Sequence, residues 1–209
     1  MSKACTEYRK GLTDQIIAEA YKRFSEKGIK SVTMDDIAKG LHISKRTIYE
    51  LYSNKEELLL GVLQQGHEKR KKDVAELVKH CDSAVDVMTE VFRLQLEMSM
   101  TVSSDFFRDI QRYPKARRLL QKYDAEHQES AVAFFARGVE EGYFLSNIDF
   151  GIFMEVSSGI LDVIKTDSIC RNLSFTDLLK NYVCVLMRGI CTREGLEKFD
   201  EFLKVNGIS

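Results

Sequence analysis

Apolar residues near the start of the chain recur every three or four positions, the spacing that places them on one face of a helix. The positions are Leu12, Ile16, Ile17, Ala20 and Phe24. Gly28 follows them, and glycine most easily adopts the left-handed conformation in which helices commonly end. The pattern predicts a first helix from Leu12 to Phe24 that stops before Gly28.

Two shorter helical segments follow, each preceded by a hydroxyl side chain. Thr33 and Ser44 stand directly before them, and such hydroxyls accept hydrogen bonds from the unpaired N–H groups at a helix start. We predict a second helix after Thr33 and a third over 45–52. Both are too short to be stable alone, so the first helix must pack on them. Together the three form a helix-turn-helix unit.

The rest of the chain reads as seven further helices. Their predicted ranges are 55–78, 83–100, 103–110, 114–141, 149–166, 175–191 and 192–205. Two stretches, 143–153 and 183–187, read partly as strands, but two short isolated runs cannot form an independent sheet. The predicted fold class is therefore all-α. A DNA-binding domain over 1–54 precedes a helical ligand-binding and dimerisation domain over 55–209.

Charge is distributed unevenly along the chain. The net charge is −1, but residues 1–55 hold eleven Lys and Arg against seven Asp and Glu. The other 154 residues hold twenty against twenty-five. A basic N-terminal segment on an acidic remainder indicates that one end of the molecule meets an anion.

Several classes of protein lack support in the sequence. No stretch reaches the roughly 18 apolar residues of a membrane span and no signal peptide is visible, so we expect a cytoplasmic protein without a membrane partner. The five cysteines are widely spaced without C-x-x-C, which indicates buried or idle thiols. Nucleotide-binding and hydrolase motifs are absent, and only Asp124 and His127 approach the Glu-x-x-His spacing of a di-iron bundle. We expect no catalytic residues, no metal and no cofactor.

Fifteen residues of the N-terminal segment match a known sequence pattern in both order and spacing. They are Ile17, Ala20, Phe24, Gly28, Thr33, Ile37, Ala38, Ile43, Ser44, Thr47, Ile48, Tyr49, Tyr52, Lys55 and Leu58. In this pattern the chain resembles the tetracycline-repressor (TetR) family of bacterial transcription regulators, over roughly residues 10–62. The resemblance implies a homodimeric repressor that binds a near-palindromic operator and releases it when a small molecule enters the C-terminal domain.

A recognition helix enters the major groove by its N-terminal residues, so Lys45 and Arg46 are predicted to read bases. Hydroxyl, phenol and ammonium groups near helix starts are predicted to contact phosphates. The complete predicted DNA-binding set is Thr33, Ser44, Lys45, Arg46, Thr47, Tyr49 and Lys55. Thr33 and Ser44 also act as caps, and capping is the alternative role of Ser44. A solvated basic turn is the alternative interpretation of Lys45 and Arg46.

Two acidic residues depart from what the family resemblance implies. Asp35 occupies a position where some members carry a base-reading arginine, and Glu50, together with Leu51, stands where the family often has His, Tyr or Trp near the DNA. A carboxylate near phosphates is repelled, so we expect Glu50 to face a cytosine amino group or solvent.

Aromatic and methionine side chains gather in the C-terminal domain and ordinarily form a core. In the family, part of such a cluster lines a ligand cavity, where polar-tipped residues orient the ligand. The predicted pocket residues are Phe92, Leu96, Phe106, Phe107, Tyr113, Tyr123, His127 and Met154. An all-α small-molecule-binding protein without DNA activity is the alternative function.

The segments 149–166 and 175–191 carry more apolar residues than one helix face needs, which predicts a homodimer through them. These residues are Phe150, Phe153, Met154, Val156, Ile160, Val163, Leu178, Tyr182, Val185, Leu186 and Ile190. Ser157, Ser158 and Gly159 are small enough to let a partner helix approach closely.

Overall fold

The computed structural model describes residues 3–166 and 174–208. Its helices are α1 Lys3–Lys27, α2 Met34–Gly40, α3 Lys45–Leu51, α4 Lys55–His80, α5 Ala84–Thr101, α6 Ser104–Ile110, α7 Pro114–Glu140, α8 Phe150–Thr166, α9 Phe175–Leu178, α10 Cys184–Ile190 and α11 Arg193–Val205. Between α9 and α10, Leu179–Val183 is π-helical. In these ranges the only strand-like feature is an isolated bridge between Phe144 and Cys191. The predicted all-α class is therefore confirmed.

Local caps explain why most helices begin and end where the sequence predicts. Thr33 Oγ1 accepts the N–H of Asp36 at 3.1 Å, and the Asp36 carboxylate accepts the N–H of Thr33 at 2.9 Å. This reciprocal capping box fixes the start of α2. Pro114 is the first residue of α7, and Gly142 follows its end with φ 79°.

Helix α1 begins at Lys3, nine residues before the predicted Leu12. Residues 7–11 are exposed, and the first buried position of α1 is Ile16. A helical turn that packs against nothing has no apolar face, so hydrophobic periodicity cannot reveal it. The prediction was therefore wrong for the first turns of the helix.

The segment predicted as one helix over 175–191 changes its geometry midway. The side-chain amide of Asn181 donates to the carbonyl of Asp177 at 2.9 Å. That carbonyl is the one to which the Asn181 N–H donates in a regular α-helix. Competition of this kind disturbs the i→i+4 pattern, and the π-helical turn Leu179–Val183 surrounds the site.

The chain divides into two compact units. The first, here called the head, comprises residues up to Lys69 together with Thr101–Gln121. The second, here called the body, comprises Arg70–Met100 and the residues from Lys122 onward. The domain boundary at residue 54 stays a prediction.

Each unit has its own hydrophobic core. The head buries fully a set that links α1, α2, α3 and α4: Ile16, Ala20, Phe24, Ile37, Ile48, Leu58 and Leu59. The body buries Ala84, Val85, Phe92 and Phe199 completely and Phe144 almost so. None of the helices in the described ranges is long and apolar enough to cross a membrane.

Candidate nucleic-acid interface

A tight turn sets α3 against α2 in the head. His42 takes the left-handed conformation with φ 55°, and the N–H of Ile43 donates to the carbonyl of Ala38 at 3.0 Å. Ser44 then caps α3 by accepting the N–H of Thr47 at 3.1 Å. Ile48 is fully buried and anchors α3, while Lys45 and Arg46 at the start of the helix are exposed.

Lys45, the first residue of α3, lies beside a carboxylate from α2. Its Nζ atom is 2.8 Å from Asp35 Oδ1 and 2.9 Å from Oδ2, and it lies 6.0 Å from the ring centroid of Tyr49. The hydrogen bond and charge of Asp35 raise the pKa of Lys45. The side chain is 60 % exposed, so its remaining donors stay open to a ligand.

Arg46 follows as the most exposed cation of α3, with 88 % of its side chain in contact with solvent. Its Nε donates to Glu50 Oε1 at 2.9 Å, one helical turn further on. The guanidinium has five N–H donors, and this bond uses one of them. Glu50 therefore pairs within α3; its predicted contact with a cytosine amino group stays a prediction.

Three hydroxyl groups of the predicted interface, those of Thr33, Ser44 and Thr47, already have intramolecular partners. Thr33 Oγ1 donates to the Asp36 carboxylate at 2.6 Å, and this hydrogen bond is the main reason that the pKa of Asp36 is lowered. Ser44 Oγ and Thr47 Oγ1 lie 2.8 Å apart. Tyr49 is 43 % exposed on α3. The hydroxyls of Thr33, Ser44 and Thr47 shape the helix starts, and the predicted phosphate contacts of the interface stay predictions.

Lys55, at the start of α4, is bound to the loop between α1 and α2. Its Nζ donates to the carbonyls of Ile29 at 2.8 Å, Lys30 at 3.3 Å and Val32 at 2.8 Å. An ammonium has three donors, so these bonds account for all of them. Burial lowers the pKa of Lys55. The geometry gives Lys55 an anchoring position, with which the predicted phosphate contact has to compete.

A second anchor of this loop was missed by the sequence reasoning. The buried Asp109 of α6 accepts the backbone N–H of Lys30 at 2.6 Å, and the N–H of Ser103 donates to the carbonyl of Ser25 at 2.8 Å. A Cβ on Gly28 would meet the Cβ of Asp105 at 2.8 Å. Residues 101–121 therefore pack with the helix-turn-helix, although nothing in their local pattern indicates a partner 79 residues away.

The residues predicted to line a ligand pocket fall into different units. Phe106, Phe107 and Tyr113 belong to the head, whereas Phe92, Leu96, Tyr123, His127 and Met154 belong to the body. Phe92 and Leu96 are buried in the body core, and Met154 packs against it. A common pocket for the eight stays a prediction.

Helices α8 and α10 of the body each expose hydrocarbon. In α8, Ile152 is 62 % exposed, Val156 53 % and Ile160 41 %, and in α10 Val185 is 61 % exposed. The three α8 residues stand four positions apart and so share a face.

Other members of the set predicted at a partner lie elsewhere. Phe150, Phe153 and Met154 pack against the core of the body itself. Ile152, which the sequence reasoning omitted, belongs to the exposed face. The side chain of Val163 lies outside the described residues.

Two of the described cysteines, Cys184 and Cys191, are buried thiols. Burial raises the pKa of Cys191 to about 11 and also raises that of Cys184, so both are protonated thiols near neutral pH. Within the described ranges, no group of three His, Cys, Asp or Glu side chains is arranged to hold a metal ion.

Comparison with known proteins identifies the helix-turn-helix region. Residues 16–62 match the family model described as "Bacterial regulatory proteins, tetR family". Over 47 residues the chain is 47 % identical to the biofilm operon icaADBC HTH-type negative transcriptional regulator IcaR of Staphylococcus epidermidis, covering 22 % of this chain and 25 % of that protein.

Two further similarities extend over most of the chain. The uncharacterized HTH-type transcriptional regulator YvaF of Bacillus subtilis is 22 % identical over 185 residues, covering 86 % of this chain and 96 % of that protein. A transcriptional regulator from Saccharomonospora viridis, solved in complex with choline, superposes with a TM-score of 0.68 at 18 % identity. That alignment covers 88 % of this chain and 100 % of the solved chain, so the two share a fold.

Proposed function

We propose that this chain, a TetR-family transcriptional regulator, is a homodimeric repressor that binds a near-palindromic DNA operator. It releases the operator when a small molecule binds the helical domain over 55–209. The observation that carries the proposal is the exposed N-terminus of α3. Lys45 and Arg46 project there from a helix that Ser44 caps and Ile48 anchors.

The chemistry of α3 suits a DNA groove. Long side chains with several N–H donors match the O6 and N7 acceptors that guanine presents in the major groove. Arg46 is nearly free of protein contacts except for Glu50, so it is able to extend into a groove. A protein similar over the matching region, IcaR, is named as a negative regulator, and this supports repression here.

The second copy in the assembly is proposed to cover the exposed apolar face of the body. Ile152, Val156, Ile160 and Val185 are large, uncharged and exposed. Burying such a side chain fully contributes roughly 1.5–3 kcal/mol. A twofold axis through this face makes it self-complementary, because the same patch is present on both chains. The dimer then presents two α3 helices to half-sites about 34–36 Å apart.

Release by an effector is proposed to act through α4. This helix runs without interruption from Lys55 to His80, and its residues are shared between head and body. A small, mostly apolar molecule that favours a poorly spaced pair of α3 helices weakens DNA binding by its differential affinity for the two arrangements. Such coupling typically amounts to about 1–3 kcal/mol, and by linkage DNA weakens the effector equally.

The proposal is tested by selecting duplexes from a random-sequence library with the purified full chain. We expect enrichment of a near-palindromic sequence with two half-sites one helical turn apart. Gel mobility shift with the selected duplex and with a mixed-sequence duplex then measures preference. Absence of any enriched sequence favours the alternative, an all-α small-molecule-binding protein without DNA activity.

The effector part is tested separately by calorimetry. A small-molecule library is first screened for compounds that raise the melting temperature of the chain. The affinity of each hit is then measured with and without the selected duplex. Equal affinities in the two titrations contradict the proposed coupling.

A further inference from the structure

Both cations at the start of α3 carry a carboxylate partner from the protein itself. Asp35 lies 2.8 Å from the ammonium of Lys45, and Glu50 lies 2.9 Å from Nε of Arg46. The capping box of α2 uses Asp36, so Asp35 is not needed for that cap. All four side chains are substantially exposed, and exposed pairs of this kind add little stability. Their placement therefore calls for a role in binding.

We propose that Asp35 and Glu50 are specificity-determining residues, which hold the two cations in ion pairs and so weaken binding to DNA of arbitrary sequence more than to the operator. This inference rests on the DNA-binding function proposed above. It assigns a role to two residues that themselves carry the wrong charge for a phosphate contact.

The physical basis is the difference between phosphates and base edges. Phosphates are present in every sequence, and binding to them gains from counterions released by each neutralised charge. A cation already paired with a carboxylate neutralises less of the phosphate charge. Base acceptors in the groove are fixed in direction, so donors that are already oriented bind them more strongly.

The paired side chains keep donors for such base contacts. Lys45 is held between Asp35 and the ring of Tyr49, 6.0 Å away, while an ammonium has three donors in all. Arg46 uses Nε toward Glu50 and retains the four N–H groups of its terminal nitrogens. Each carboxylate thus orients a cationic side chain and leaves some of its N–H groups for contacts with bases.

The test compares the wild-type chain with Asp35→Asn and Glu50→Gln. Each variant is titrated with the duplex selected by the wild type and with a mixed-sequence duplex of equal length and base composition. We expect each substitution to tighten binding to mixed-sequence DNA about threefold to tenfold and to steepen its salt dependence by about 0.9 in log K against log salt. The affinity ratio between selected and mixed duplexes should fall at least about threefold.

Glu57→Gln is the matched control, because it frees Lys115, 2.5 Å away, and adds the same charge to the head. We expect this control to keep the wild-type ratio. A second check uses Lys45→Met, in whose background Asp35→Asn should no longer change binding to mixed-sequence DNA.

The outcomes separate this inference from the proposed function. If the wild type selects no duplex, the DNA-binding proposal itself fails. If the wild type discriminates and both variants keep its affinity ratio, only the role of Asp35 and Glu50 is overturned. A ratio lowered equally by Glu57→Gln also overturns it, because the effect is then one of net charge.

Discussion

The head and the body both bury aromatic residues, but their exposed surfaces differ in chemistry. Phe24 in the head and Phe92 in the body are both fully buried, so each unit has an aromatic core. On the outside, the head exposes Lys45 and Arg46 on α3, whereas the body exposes hydrocarbon on α8 and α10. This difference in surface chemistry supports the proposed function, in which the head meets a polyanion and the body meets an apolar surface.

The two units also hold their helices by different means. In the head, the loop between α1 and α2 is fixed by polar bonds to its backbone: the Lys55 ammonium donates to three of its carbonyls, and the N–H of Lys30 donates to Asp109. In the body, long helices are joined by rings, such as Phe135 stacked on Phe150 with centroids 4.4 Å apart. Substitutions should therefore act through hydrogen bonds in the head and through packing in the body.

The largest effect is expected from Val156→Glu, which places a carboxylate in the middle of the exposed apolar face of the body. Burying an unpaired charge is strongly unfavourable, so the dimer should dissociate. Loss of one tethered half-site should lower operator affinity at least about a hundredfold. Sedimentation velocity at micromolar concentration measures the mass, and fluorescence anisotropy measures the affinity.

Val132→Glu is the control for the dimer, because Val132 is a similarly exposed valine (52 %) on α7, a helix that contributes no residue to the proposed interface. This variant should sediment as the wild type does. If the wild-type chain is monomeric at micromolar concentration, the exposed apolar face of the body is not a dimer interface.

Packing in the body is tested by Gly138→Ala. A Cβ on Gly138 would lie within the ring of Phe144, so α7 or that ring has to move. Overpacking of this kind costs about 1–3 kcal/mol of unfolding free energy. Urea denaturation measures it, with Gly66→Ala as control.

The Cβ of the control residue meets no atom within 4 Å. In a helix interior that substitution should stabilise by roughly 0.5–1 kcal/mol. Equal stability of Gly138→Ala and the wild type would mean that the ring of Phe144 does not lie on α7.

The polar anchoring of the head is tested by Lys55→Met, which keeps the stem and removes the ammonium. Three carbonyls lose their donor, so unfolding free energy should fall by about 1–3 kcal/mol. The slope of log K against log salt for DNA should stay unchanged. Lys45→Met should do the reverse, with unaltered stability and weaker binding to the selected duplex. A flatter slope for Lys55→Met would instead support the phosphate contact predicted from the sequence.

The smallest effect concerns the turn before α3. His42 has φ 55°, a conformation that costs a non-glycine residue about 1–2 kcal/mol. His42→Gly removes this strain but gains freedom in the unfolded chain, so we expect stabilisation of at most about 1 kcal/mol. His42→Val should destabilise, since β-branched residues tolerate this conformation poorly. Thermal unfolding of both variants checks the sign, and a stabilising valine contradicts the account.

Helix starts were predictable from the sequence wherever a neighbour in the chain caps them, as at α2 and α3 in the head and at α9 in the body. Thr33 with Asp36 and Ser44 with Thr47 are each three residues apart, within reach of local reasoning. The pair of Arg46 and Glu50 also has a readable helical spacing.

Contacts between distant segments left no such signal. Asp35 meets Lys45 across a turn, and Asp109 reaches Lys30 from 79 residues away. In the body, hydrophobic pattern alone identified apolar helices but could not separate inward Phe150 from outward Ile152. That separation depends on how the helices pack, which is a tertiary property.

The central claim, that α3 reads DNA sequence, is tested most directly by the base preference of Arg46→Ala. Anisotropy titrations of the wild type and the variant on a set of duplexes, each with one base pair of the selected sequence replaced, measure the cost of every replacement. We predict that Arg46→Ala removes a preference of about 1–3 kcal/mol at one position in each half-site and leaves the other positions unchanged. An equal loss of affinity on every duplex would contradict the claim, because Arg46 would then contribute charge alone.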